Sequence, residues 1–90
     1  MSQVKQFVAD PVAIGLRALA WTLGEQNRAE RMLALTGLAP EDLRGRADQP
    51  AVLAALLGFL EAHEPDLVAC AAGIGVPPQA LVAAREALET

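Results

Sequence analysis

Proline stands at five points along this chain where a helix could begin, and that punctuation constrains the fold more than any other feature. Pro11, Pro40, Pro50, Pro65 and Pro78 each suit the first turn of a helix, where a missing N–H costs no hydrogen bond and the fixed φ already matches. Ninety residues hold a single hydrophobic core, so the segments between these prolines must pack on one another. Of those residues 53% are hydrophobic and only 3% aromatic. Alanine and leucine, strong helix formers, dominate over the β-branched and aromatic types that strands favour. The expected fold is all-α: a compact bundle of about six short helices, with residues 10–90 as one helical domain and residues 1–9 as a flexible N-terminal segment.

Each segment carries its own signals. Asp10 before Pro11 predicts a capped helix with Val12, Leu16, Leu19 and Leu23 on its inner face, ending near Gly24. Asn27 followed three residues later by Glu30 predicts a capping box for a short second helix that ends at Gly37. From Pro40 to about Ala47, Glu41 and Asp42 lie at the positive end of a third helix dipole, and Arg44 and Arg46 at its negative end. After Pro50, the stripe Leu53, Leu56, Leu57 and Leu60, widened by Val52 and Phe59, predicts the central helix. Pro65 opens a fifth helix running to Gly73, and Pro78 a sixth running to the end.

Two of the helix junctions share a pattern. Gly37-Leu38-Ala39-Pro40-Glu41-Asp42-Leu43 matches Gly75-Val76-Pro77-Pro78-Gln79-Ala80-Leu81 at an offset of 38 residues. Glycine permits the sharp exit, the aliphatic residue plugs the corner, proline starts the next helix and leucine turns back inward. Two copies are too few for a solenoid, so the expectation is one helix-turn-helix-like corner built twice. The second, over residues 67–88, has the spacing of a DNA-binding helix-turn-helix, with Ala71, Ile74, Gly75, Val76 and Leu81 at the key positions. Its second helix opens with Pro78, Gln79, Ala80, Val82 and Ala83, which offers one base-reading side chain and nothing for phosphate.

Charge points away from polyanions. Seven basic residues face eleven acidic ones for a net charge of −4, and beyond residue 50 Arg85 stands alone against Glu61, Glu64, Asp66, Glu86 and Glu89. Nucleic acid is therefore not the expected partner, and an atypical helix-turn-helix regulator using residues 67–88 is kept as the alternative. No apolar run serves as a signal peptide or membrane span, and the lone Cys70 suits a reducing compartment, so a cytoplasmic protein is expected.

Catalytic chemistry finds little support. His63, in Glu61-Ala62-His63-Glu64-Pro65-Asp66, has no second His or Cys at ligand spacing. Cys70 falls mid-helix among alanines, where burial raises a thiol pKa and makes a poor nucleophile. Gly73-Ile74-Gly75 lacks the strand, the third glycine and the lysine of a phosphate loop. The chain is expected to be no enzyme, with no cofactor and no metal. What remains is surface. Arg28, Arg31, Arg44 and Arg46 flank the first corner, Arg17 precedes Trp21 by one helical turn, and these six residues are the candidate contacts for an unknown protein partner or a second copy. Trp21 lies beside the first helix's stripe, on a line with Ile14 and Ala18, and burial is its expected state.

The run Ala34-Leu35-Thr36-Gly37-Leu38-Ala39-Pro40-Glu41-Asp42-Leu43-Arg44 carries a resemblance, together with Leu16-Arg17-Ala18-Leu19-Ala20 before it and Pro50, Leu56-Leu57-Gly58-Phe59-Leu60 and Glu64 after it. It resembles the alphaproteobacterial domain-of-unknown-function family 3572 over most of residues 10–90. That resemblance implies a small bacterial helical protein and brings no assigned activity or site residue. Trp21 departs from the smaller or phenylalanine-like residue implied at its position, which leaves a local surface role open. The expected function is a small helical binding or adaptor module.

Overall fold

The computed structural model describes residues 10–90; the expected flexible segment over residues 1–9, with Phe7, lies outside the described residues. Among the described residues six helices follow one another: α1 (Pro11–Leu23), α2 (Gln26–Thr36), α3 (Pro40–Gly45), α4 (Pro50–Ala62), α5 (Glu64–Ile74) and α6 (Pro78–Leu88). All five punctuating prolines occupy a first helical turn. The Asp10 carboxylate accepts from the N–H groups of Val12 and Ala13 at 3.1 and 3.3 Å, satisfying two of the orphan donors at the start of α1.

Two boundaries differ from expectation. The second helix starts before Asn27, because the Glu25 carboxylate accepts from the Arg28 N–H at 2.9 Å and takes the cap itself. Glu30 then accepts from the Gln26 side-chain amide at 3.1 Å instead of closing a capping box. The fifth helix passes Gly73 and ends at Ile74, since the left-handed residue that stops it is Gly75 (φ 79°).

The core gathers on α4, which packs against α1, α2, α5 and α6. Leu53, Leu56, Leu57 and Leu60 are completely buried, and Val52 and Phe59 nearly so, as the leucine stripe predicts. Each such leucine contributes about 1.5–3 kcal/mol on removal from water. Met32, Cys70, Ala71, Leu81 and Ala84 close the core from α2, α5 and α6.

α1 presents a different face from the one its large residues suggested. Gly15, Ala18, Leu19 and Thr22 are buried, while Leu16 and Leu23 remain 37% and 42% exposed. Close approach explains the rotation: a Cβ on Gly15 would stand 3.1 Å from Leu53, so α1 comes nearest to α4 where its side chains are smallest. Thr22 tolerates burial because its hydroxyl donates to the Ala18 carbonyl at 2.9 Å.

The two corners are alike in backbone and unlike in closure. Gly37 and Gly75 both adopt φ near 78°, and both are followed by a half-buried aliphatic, Leu38 or Val76, packed on the core. After α5 the Val76 N–H reaches back to the Ala71 carbonyl at 2.9 Å, a full six-residue closure. After α2 the Leu38 N–H instead donates to the Thr36 hydroxyl at 3.2 Å.

Candidate functional site

The six residues that the sequence marks as contacts separate into two groups. Four converge where α1, α2 and α5 meet. Trp21, half-buried near the end of α1, lies against Gly73 of α5, where a Cβ would come within 2.8 Å of the indole. The Arg28 guanidinium stacks over that ring at 3.6 Å from its centroid. It also donates to the carbonyls of Trp21 and Thr22, the latter at 3.3 Å. Arg17, one turn before Trp21, donates to the carbonyl of Ile74. Arg31, one turn beyond Arg28, pairs with Asp66 at 3.1 Å and overhangs Phe59 at 5.9 Å.

One physical need accounts for two of these arginines. The last carbonyls of a helix have no intrahelical donor and form the negative end of its dipole. Neither α1 nor α5 has a basic residue in its own last turn. Arg28 supplies the missing cation to α1, and Arg17 supplies it to α5. Both side chains, together with Trp21 and Arg31, are therefore engaged within the fold.

Arg44 and Arg46 form the second group. Both are exposed at the end of α3, and among the described residues neither side chain makes an ion pair or a hydrogen bond. They precede α4, and α4 carries a feature that the sequence reading missed. Its outward face, with α2 alongside, forms an open apolar groove of about 500 Å³ lined by Leu35, Thr36, Ala55, Gly58, Phe59, Ala62 and His63. Leu35 on its rim is 63% exposed, more than any other large hydrophobic residue described. On the opposite flank the stem of Arg85 passes Gly58, held by ion pairs to Glu61 and Glu89. The signal was present as Ala51, Ala55, Gly58 and Ala62 at spacings of four, three and four, but small residues weigh little in a search for hydrophobic stripes.

The lining of the groove is predominantly apolar. His63, its one titratable lining residue, is exposed at the junction of α4 and α5, with its ring 5.7 Å from that of Phe59. Among the described residues, no three of the His, Cys, Asp and Glu side chains converge. Cys70 is fully buried, and burial pushes its thiol up to about 11, with Arg28 nearby pulling the other way. At neutral pH it is a protonated core side chain.

The second corner bends α5 against α6 by 100°, within the helix-turn-helix range. The exposed side chains of α6 are Gln79, Ala83, Glu86 and Ala87, a face with one negative charge and no cation. Among the described residues no single helix is long and apolar enough to cross a membrane.

A small all-α bundle, braced by arginines that cap neighbouring helices and open along one face of its central helix, is the class that these features define. The chain belongs to the family described as protein of unknown function (DUF3572), whose model matches residues 8–90. Neither the curated proteins nor the solved structures contain a significant match.

Proposed function

We propose that this chain is a small, non-enzymatic helical binding module, working in the cytoplasm of an alphaproteobacterial cell, as the resemblance of its Thr-Gly-Leu-x-Pro-x-x-Leu-Arg motif implies. Its contact surface is the outward face of α4, and the occupant is an α-helix of a protein partner. The observation that carries this is Leu35, held out in water at the rim of an apolar groove floored by alanine and glycine. A protruding aliphatic beside an apolar depression is the form in which helix-in-groove recognition presents itself. Arg44 and Arg46 are the sequence candidates still open to a partner, and they precede α4 in the chain. Trp21, Arg17, Arg28 and Arg31 serve mainly to hold α1, α2 and α5 together.

The alternative, a DNA-binding regulator using residues 67–88, has the weaker support. The angle of the corner suits it, but the face that α6 would offer to a groove has no cation to neutralise phosphate.

The test is affinity capture of tagged protein from its native cells, comparing wild type with Leu35→Asp. Leu35 makes little of the core, so the variant keeps its circular dichroism and loses a stoichiometric partner. Retention of the same partner by Leu35→Asp removes the α4 face from the proposal. DNA in the eluate that moderate salt releases, with no protein partner, replaces it with the regulator.

A further inference from the structure

The fold holds its helices with unequal firmness, and the difference follows the chain. Each of α1, α4, α5 and α6 packs against the other three. α4 buries seven residues and α1 four. Between α1 and α4 in the sequence lie α2, which buries Met32 alone, and α3, which buries no residue. We infer that residues 26–45 form a strap, α2 and α3 moving together, that opens from the other four helices while those four stay folded.

The ties between the strap and the rest are few. Met32 enters the core, and Leu33, Leu38, Leu43 and Ala47 lie half-buried against it. Arg28 stacks on Trp21 of α1 at 3.6 Å, and Arg31 pairs with Asp66 of α5 at 3.1 Å. The Arg31 side chain is 46% exposed, so its ion pair adds little against water. Segments with so little buried apolar surface open at lower cost than the core beside them.

The joints and the corner decide what moves. Gly24 and Glu25 before α2 are exposed, as are Arg46, Asp48 and Gln49 after α3. Rotation at these two joints leaves every packing among α1, α4, α5 and α6 intact. The corner between α2 and α3 is tied within itself instead. The Leu38 N–H donates to the Thr36 hydroxyl at 3.2 Å, and the Ala39 N–H donates to the Asp42 carboxylate at 2.9 Å. The two helices therefore open as one piece.

Opening bears on the groove, because its walls belong to different pieces. Leu35 and Thr36 come from the strap, and the other lining residues from α4 and the His63 junction. The closed strap makes the groove and the open strap dissolves it. An occupant that touches both walls thus holds the strap shut, since it binds one state and not the other. The strap itself needs no occupant and is tested in the free chain.

The experiment is native-state hydrogen exchange on the free full chain, read amide by amide by NMR across low urea concentrations. The amides of α2 and α3 are expected to converge on one opening, with protection about tenfold or more below that of α4. Two variants separate this opening from global unfolding. Met32→Ala is expected to speed exchange in α2 and α3 by about thirtyfold or more. Ala84→Gly, buried in α6 and remote from the strap in sequence, is expected to speed exchange in α4 and α6 by about fivefold and to leave α2 and α3 unchanged. Equal protection of α2 and α4 in the wild-type chain overturns the strap, and that comparison decides alone should Met32→Ala fail to fold. An α3 that opens while α2 exchanges only with the core overturns the joint movement. A response of α2 to Ala84→Gly as large as that of α4 shows that the strap opens only when the whole chain unfolds, and overturns the inference while leaving the binding role of the groove untouched.

Discussion

Replacing Gly73 by alanine sets two effects of opposite sign against each other, and the contact with Trp21 decides which prevails. Gly73 lies inside α5 with an ordinary helical φ. In an open helix the change to alanine would stabilise by about 0.8–1.0 kcal/mol. Here the new methyl would stand 2.8 Å from both Cδ1 and Nε1 of the Trp21 indole, closer than carbon atoms pack. The ring has little freedom to retreat, because Arg28 stacks on it at 3.6 Å and donates to the Trp21 carbonyl. Overpacking of this kind costs about 1–3 kcal/mol, and disturbing the stacked cation adds about 0.5–1 kcal/mol. The net expectation is destabilisation by about 1–2 kcal/mol, with the melting temperature lowered by roughly 4–8 °C per kcal/mol in a domain of this size. In a Trp21→Leu background the clash disappears and only the propensity gain remains, so the same substitution becomes stabilising by up to about 1 kcal/mol. Urea unfolding of the four chains, followed by far-ultraviolet circular dichroism, measures the cycle. Trp21, the only tryptophan, reports its own displacement by fluorescence. Stabilisation by Gly73→Ala in the wild-type chain, equal to that in Trp21→Leu, would falsify the packing account.

Three further outcomes follow from the same geometry. Arg28→Lys is expected to cost about 1–2 kcal/mol in thermal unfolding, because an ammonium cannot stack on Trp21 and at the same time fork to the carbonyls of Trp21 and Thr22; a change of under a few tenths of a kcal/mol would show that the cap is redundant. Thr22→Val is expected to stay within about 1 kcal/mol of wild type, since the Ala18 carbonyl keeps its helical bond and no buried donor is stranded, and equilibrium unfolding checks it. Burial holds the Cys70 thiol at about 11 in the fold against an ordinary 9.0. The folded state thus favours the proton: this stabilisation is complete below about pH 9 and is lost as pH rises to about 11, by up to about 2–3 kcal/mol. A pH series of unfolding curves for wild type and Cys70→Ala measures that slope, which the variant should lack.

Legibility in the sequence followed the nature of each signal. Proline, aspartate and glycine act on their own few residues, so the five proline starts, the Asp10 cap and the left-handed Gly37 could be placed before any packing was known, whereas of the two glycines near the end of α5 the sequence singled out Gly73 and the fold uses Gly75. The leucines of α4 were equally plain, because a helix surrounded by four others needs nothing more than hydrophobicity on most of its circumference. α1 was misread for the opposite reason. Its burial depends on how close α4 comes, and that distance rewards Gly15 and Ala18 over Leu16 and Leu23, an effect that no tally of hydrophobic residues contains. Glu25 displaced Asn27 as the α2 cap on similarly local terms, since both types can accept from a backbone N–H and only the turn geometry selects between them.

The arginines show why a charged surface residue is ambiguous until the helix ends around it are known. In sequence, Arg28, Arg31, Arg44 and Arg46 are equivalent, exposed-type side chains among acidic neighbours, and Arg17 stands in an apolar stretch one turn before Trp21. The distinction arises from α1 and α5, each of which ends without a cation of its own and borrows one from a helix packed beside it. This demand consumes Arg17 and Arg28, and Asp66 consumes Arg31. α3 has Arg44 in its own last turn, so neither Arg44 nor Arg46 is drawn into another helix. Arg44 and Arg46 therefore stay on the surface just before α4, the first serving the end of its own helix and neither bracing a neighbour.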